Sequence, residues 1–360
     1  MSITNLLMLL GGLGLFLYGM QMMGSGLEAA AGNRMKRILE RLTSNPILGV
    51  LVGAVITAVV QSSSATTVMV VGFVNSGMMT LRQAVWVIMG ANIGTTITGQ
   101  LIALDVGAIA PLFAFIGVVL VVFIKKQSVR YYGQIIAGLG ILFIGMDMMS
   151  SSMAPLRESE AFVNLLTQFS NPVLGILAGA VFTAIIQSSS ASVGILQALA
   201  SSGVIGLSNA VFVLFGQNIG TCITAVLASV GTSRNAKRTT IIHLMFNIFG
   251  TVLFTVICIF SPLTDWVSSW TPGSPSAQIA NMHTLFNIVT TLLLLPFGGY
   301  LAKLATRILP EKPTEALENG VHQLLYIKPV DQLSAEHHVG TSAIVINGVQ
   351  RELARMAEMV

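Results

Sequence analysis

Charge is what this chain has least of. Only 9% of its 360 residues are Asp, Glu, Lys or Arg, against about 25% in a soluble globular domain, while 54% are hydrophobic. That shortage excludes a soluble enzyme, a disordered chain and a nucleic-acid binder, despite a net charge of +4. Cysteine is equally scarce. Cys222 and Cys258 both lie in apolar runs, which excludes a disulfide framework and a cysteine metal set. No basic segment precedes the first apolar run, so no secretory signal is expected. The few charges are also unevenly placed. Residues 304–360 hold 12 of the 32 (18 basic plus 14 acidic), and residues 1–303 hold 20. The pattern predicts a membrane body of roughly 300 residues followed by a polar tail.

The body repeats itself. Residues 44–98 and 170–224 align without a gap at a shift of 126, with 29 identities in 55 positions. SNPILGVLVGAVITAVVQSSSA matches SNPVLGILAGAVFTAIIQSSSA, and GANIGTTIT matches GQNIGTCIT. The same shift pairs GLGLFLYGMQMM at 12–23 with GLGILFIGMDMM at 138–149. Close packing in a membrane accounts for the glycines. It does not account for Gln-Ser-Ser-Ser twice in an apolar setting, where polar groups are costly.

An all-α, polytopic membrane fold follows. Residues 6–23 form a first crossing. Residues 27–43, with Arg34, Lys36, Arg37 and Arg41, read as an interfacial helix. As one helix, 46–79 would run about 51 Å, too long for a hydrocarbon core of about 30 Å. Its halves are each short, and the polar break 61–64 lies between them. A re-entrant hairpin with its irregular tip buried in protein fits. Crossings at 81–104 and 108–124 complete the first repeat, expected over 1–130. The second, expected over 131–303, has a span at 131–150, a hairpin at 172–204, spans at 207–230 and 239–260, and an added span at 278–302.

Three crossings per repeat place the halves upside down to one another. The positive-inside rule gives an independent test. With the N-terminus outside and the C-terminus cytoplasmic, 17 of the 18 Lys and Arg residues are cytoplasmic, and Arg157 alone is outside. The loop 261–277, with Asp265 and no basic residue, also falls outside.

Inverted repeats with broken helices mark secondary transporters, which bind near the midplane. Helix N-termini starting near Ser63 and Ser189 favour an anion. Carbonyl ends near Val60 and Ile186, with Gln and Ser oxygens, favour Na+. The motifs Asn92-Ile93-Gly94-Thr95-Thr96 and Asn218-Ile219-Gly220-Thr221-Cys222 predict a local unwinding that adds ligands. Hydroxyls bonded back to the preceding turn are the alternative. Asp147, whose repeat partner is Gln21, is the one acid well inside a predicted span. It reads either as an ion ligand or as a cap for the linker that follows. His243, His283, Asn247 and Asn287 read as hydrogen-bonded groups between helices.

QSSSATT, QSSSAS, GANIGTT and GQNIGT resemble the type II sodium–phosphate cotransporter family over about residues 5–300. The resemblance implies phosphate uptake driven by Na+, the coupling ion, through alternating access at the plasma membrane. Its phosphate and sodium sites fall on Gln61, Ser62, Ser63 and Ser64 and on Gln187, Ser188, Ser189 and Ser190. Asn92, Thr95, Asn218 and Thr221 lie beside them, and Asp147 is added as a sodium candidate. Vertebrate members carry an acidic His-Asp-Phe-Phe-Asn-like stretch after the first Asn-Ile-Gly-Thr. Here the region reads Ala110-Pro111-Leu112-Phe113-Ala114-Phe115, which leaves the sodium count open. His243-Leu244-Met245-Phe246-Asn247 and His283-Thr284-Leu285-Phe286-Asn287 keep a related pattern. The tail 304–360 is expected to be cytoplasmic. Its segment 342–360 reads as an amphipathic helix, and RELARMAEMV is similar to the opening of a PhoU-like helical domain, which would make the chain a truncated form.

Architecture alone leaves a dicarboxylate as an alternative substrate. An intramembrane serine hydrolase, with Ser63 or Ser189 activated by His243 or His283, gains nothing from a duplicated serine. A channel requires polar rings along its length, whereas here they cluster at one depth. Oligomeric state is open.

Overall fold

The computed structural model describes residues 2–31, 45–104, 106–159, 164 and 168–310. Among them the regular structure is helical throughout. In chain order the helices are α1 (Ile3–Ala31), α2 (Pro46–Val60), α3 (Ser63–Asn75), α4 (Leu81–Ile102), α5 (Ala110–Phe123), α6 (Gln127–Met153), α7 (Pro172–Ile186), α8 (Ser189–Ser201), α9 (Leu207–Gly220), α10 (Cys222–Ala228), α11 (Arg234–Phe260), α12 (Leu263–Trp270), α13 (Pro275–Leu294) and α14 (Gly298–Ile308). Among the described residues six helical stretches are long and apolar enough to cross a membrane. The protein is a multi-pass membrane protein.

Several boundaries differ from expectation. α1 continues past Met23 to Ala31, because Leu27-Glu28-Ala29-Ala30-Ala31 are all good helix formers. The interfacial helix expected at 27–43 therefore starts as an extension of the first span. Its residues 32–44, with Arg34, Lys36, Arg37 and Arg41, lie outside the described residues. The crossing expected at 108–124 is a shorter apolar run, Gly107–Phe123, which packs along α6. The last span breaks at a 3-10 turn, Leu295–Phe297, that contains Pro296. Proline removes a backbone donor there, and α14 continues beyond it across residues 303–304. The loop 261–277 contains α12, with Trp266 and Trp270 edge to face at 4.7 Å. The amphipathic helix expected at 342–360 lies outside the described residues.

Backbone contact at glycine builds the body, and it does so twice. A Cβ on Gly90 of α4 would sit 1.9 Å from the Val50 carbonyl oxygen, and one on Gly216 of α9 would sit 2.0 Å from that of Ile176. These are repeat partners, so α2–α4 and α7–α9 share one seam. The first helices of the two repeats also meet each other. Gly12 faces Gly145 and Gly19 faces Gly138, so α1 and α6 run antiparallel. Exchanging the repeats maps each of these contacts onto the other. Away from the seams, Phe215 of α9, Phe254 of α11 and Phe286 of α13 form a buried aromatic cluster with centroids 5.1–5.8 Å apart.

Candidate functional site

Each Gln-Ser-Ser-Ser is the tip of a helical hairpin. The incoming helices α2 and α7 begin alike. Asn45 and Asn171 accept the N–H groups of the first turn, and Pro46 and Pro172 follow at the first helical position, where a missing N–H costs nothing. Both helices end on glutamine. Gln61 and Gln187 have φ of 57° and 59°, a left-handed conformation uncommon outside glycine. It turns the chain sharply, so the outgoing helices start two residues later.

Ser62 and Ser188 cap those helices, accepting from Ala65 N at 3.1 Å and Ala191 N at 3.3 Å. Their hydroxyls are thus committed to the backbone. Ser63 and Ser189 occupy the first helical positions. Their Oγ atoms are 3.3 Å apart, which brings the N-termini of α3 and α8 face to face. The first N–H groups of such helices lack intrahelical partners. Ser64 is half-buried and Ser190 is buried. The residues joined here carry no formal charge.

Thr98, absent from the expected ligands, links the two tips. It accepts from Ser190 Oγ at 3.4 Å and donates to Gln61 Oε1 at 2.8 Å. Gln61 donates in turn to the Ala58 carbonyl. Thr98 ends the GANIGTTIT motif, so its register was visible in the sequence, but its reach across to Ser190 was not. Gln197, fully buried on α8, is a second unanticipated link. It donates to the Gly99 carbonyl at 2.9 Å and to Ser276 Oγ at 3.1 Å.

The unwinding expected at the Asn-Ile-Gly-Thr motifs does not occur in the first copy, because α4 is unbroken from Leu81 to Ile102. In the second copy the break is limited to Thr221, between α9 and α10. Thr95 donates to the Ala91 carbonyl and Thr221 to that of Gln217, at 3.1 and 2.9 Å. Asn92 and Asn218 likewise donate to Ile88 and Leu214. Each donor is satisfied one turn back, as expected in an apolar setting. Gly94 and its repeat partner Gly220 pack equally closely, against the Ala54 and Ala180 carbonyls, so this packing does not distinguish the two copies.

Asp147 is not gathered with the tips. It is exposed, in a cavity of about 290 Å³ whose lining includes Ala103, Ser150, Ser201 and Ser276 but no tip residue. Neither histidine reaches a tip serine by a hydrogen bond among the described residues. His283 Nε2 lies 3.1 Å from Asn218 Oδ1, and both ring nitrogens of His243 are buried without a partner. Among the described residues the geometry offers no pairing of a tip serine with a histidine.

The model of the Na+/Pi-cotransporter family matches this chain twice, over residues 15–151 and 152–263. The chain belongs to that family. The two matches divide at residue 151/152, so the first takes in α6, which the repeat reading gives to the second half. The family is one of transporters and not of enzymes. Uncharacterized protein YqeW of Bacillus subtilis (strain 168) is 35% identical over 298 residues, 82% of this chain and 96% of that protein. Putative inorganic phosphate export protein YjbB of Escherichia coli (strain K12) is 26% identical over 311 residues, 86% of this chain but 56% of that protein. The chain thus spans about half the length of YjbB. Sodium-dependent phosphate transport protein 2B of Homo sapiens is 39% identical over 105 residues, 29% of this chain and 15% of that protein. No solved structure matches.

Proposed function

We propose that this protein is a secondary transporter that couples Na+ influx to inorganic phosphate uptake by alternating access, with phosphate held between the two hairpin tips. The observation that carries the proposal is the 3.3 Å approach of Ser63 and Ser189. Two helix N-termini that face each other bring like partial charges together, and an anion between them relieves that repulsion while pairing the free N–H groups. The phosphate ligands are Ser63, Ser64, Ser189 and Ser190, with Ser62 and Ser188 fixing the helix ends and Gln61 and Gln187 flanking them.

Among the described residues no basic side chain joins the tips to offset a phosphate. Sodium takes that role, held by oxygens of Gln61, Asn92, Thr95, Gln187, Ser188, Asn218 and Thr221. The Gln61, Asn92 and Asn218 amides and the Thr95 and Thr221 hydroxyls donate back along their own helices, which leaves lone pairs for a cation. Ser188 Oγ keeps a second lone pair beside the one that accepts from Ala191 N. Asp147 belongs to a separate cavity and is assigned to the path sodium takes rather than to the paired site. In this reading residues 1–130 and 131–303 are inverted halves with the N-terminus outside and the C-terminus cytoplasmic. The antiparallel α1–α6 pair and the contact of Ser63 with its own repeat partner support that symmetry.

The test is radiolabelled phosphate uptake into proteoliposomes. An imposed sodium gradient should drive uptake and a potassium gradient should not, with succinate and sulfate failing to compete. Raising sodium should tighten apparent phosphate affinity by about 5- to 150-fold, and the reverse should hold by linkage. Equal binding in sodium and potassium would overturn the proposal. Export is a second reading, favoured by the name of the YjbB relatives, and loss of phosphate from preloaded liposomes against an inward sodium gradient would select it.

A further inference from the structure

A second cavity, with Arg82 in an otherwise largely apolar wall, lies away from the tips at the other end of the first hairpin. It measures about 480 Å³ and is lined by the start of α2 (Asn45, Pro46, Ile47), the start of α4 (Arg82, Trp86) and the kink of the last span (Leu295, Pro296, Gly299, Tyr300). Its electrostatics are one-sided. Arg82 sits in the first turn of α4, where a cation opposes the helix dipole and an acid would be favoured. Neither α2 nor α4 has an acidic residue in its first turn. Gly299 and Tyr300 are followed at helical spacing by Lys303 and then Arg307, so α14 extends the positive charge along one face. Among the described residues, Arg82, Lys303 and Arg307 have no ion-pair partner. All three are exposed.

The surroundings are those of a membrane interface. Trp86 is buried against the kink, so closely that a Cβ on Gly298 would sit 1.9 Å from its ring. Tyr300 is 58% exposed, and Ile47 and Phe297 expose about as much. α14 buries Leu301 and Ala305 and presents its basic residues outward. An amphipathic basic helix beside exposed aromatics lies in the interfacial plane, and basic pockets between membrane helices suit acidic head groups.

We propose that this cavity is a binding site for an anionic phospholipid. Arg82 holds the phosphodiester, Lys303 and Arg307 face the head group, and the acyl chains lie along Ile47 and Leu295. A zwitterionic head group fits poorly, because among the described residues no carboxylate lines the cavity to meet its ammonium. The inference needs only a membrane protein and stands apart from the transport reading.

Native mass spectrometry of the full chain in mild detergent tests it, with phosphatidylglycerol, phosphatidylcholine or inorganic phosphate added. Wild type should retain phosphatidylglycerol over phosphatidylcholine. Arg82→Gln should lower that retention by about 10-fold or more, the size expected for a hydrogen bond to a charged group. If Arg82→Gln does not fold, the exposed Lys303→Gln and Arg307→Gln pair should still lower it measurably. Equal retention of the two lipids, or unchanged retention in the variants, would overturn the proposal. Displacement of the lipid by inorganic phosphate would overturn it as well, by showing a free-phosphate site.

Discussion

The two hairpin tips have the same four residues, the same left-handed glutamine and the same serine cap, yet they do not share an environment. Gln61 is 8% exposed and accepts from Thr98. Gln187 is exposed, and the repeat partner of Thr98, Thr224, donates instead to the Thr221 carbonyl at 3.0 Å. Behind the first tip, Thr57 donates to Thr66 at 3.0 Å. Behind the second, the partners Thr183 and Ser192 have buried hydroxyls with no hydrogen bond. Local sequence fixes the backbone of a tip, and its neighbours decide whether the tip is closed or open. In the proposed mechanism this inequality is required: an inverted pair exposes its site to one side by holding its halves in different states.

The strongest way to break the comparison is to remove both serines that meet. Ser63→Ala with Ser189→Ala should abolish measurable phosphate uptake, a loss of about 100-fold or more. Each single change should cost roughly 10-fold, in line with hydrogen bonds to a charged ligand. Unchanged uptake in the double variant would remove phosphate from the tips.

Thr98→Val should then separate the halves. Losing its link to Gln61 and Ser190 should weaken apparent sodium affinity by about 5- to 10-fold, the cost of a buried acceptor left unpaired. Thr224→Val should change it less than about 2-fold by the same measure. Equal effects would show that the tips are equivalent in the working protein.

Packing, in contrast, should be symmetric. Gly90→Ala and Gly216→Ala each place a methyl group against a carbonyl, and both should destabilise by about 1–3 kcal/mol. Thermal unfolding of the purified variants checks this, and a large difference between them would mean that the seams are unequal.

The gentlest probe is labelling in a background lacking Cys222 and Cys258. Gln187→Cys should react with a water-soluble thiol reagent and Gln61→Cys should resist it. Ser268→Cys or Ser274→Cys should be reached from outside sealed cells and Ser233→Cys should not. The reverse pattern at 233 and 268 would invert the proposed topology.

Much of the fold was legible in the sequence. The starts of both hairpins follow from Asn-Pro, and the breaks fall where polar residues interrupt an apolar run, at Gln61 and Gln187. The Asn-Ile-Gly-Thr motifs were harder to read. Glycine followed by hydroxyls is compatible with an open helix or with one whose hydroxyls bond back a turn. Nothing local separates the two: Gly94 and Gly220 pack alike on the Ala54 and Ala180 carbonyls, yet only the second helix breaks.

The sequence by itself determined the membrane class, the 126-residue repeat, the ends of the half-helices and the caps that hold them. The repeat is read by comparing the chain with itself, and the others depend on composition or on residues within a few positions of one another. Only the tertiary structure decided that Ser63 meets Ser189, that Thr98 joins Ser190 to Gln61, and that Gln187 stays open while its twin is closed. Those contacts span 92 and 126 residues in two cases. They depend on how closely helices pack at glycine seams, so identical segments acquired different neighbours and different exposure.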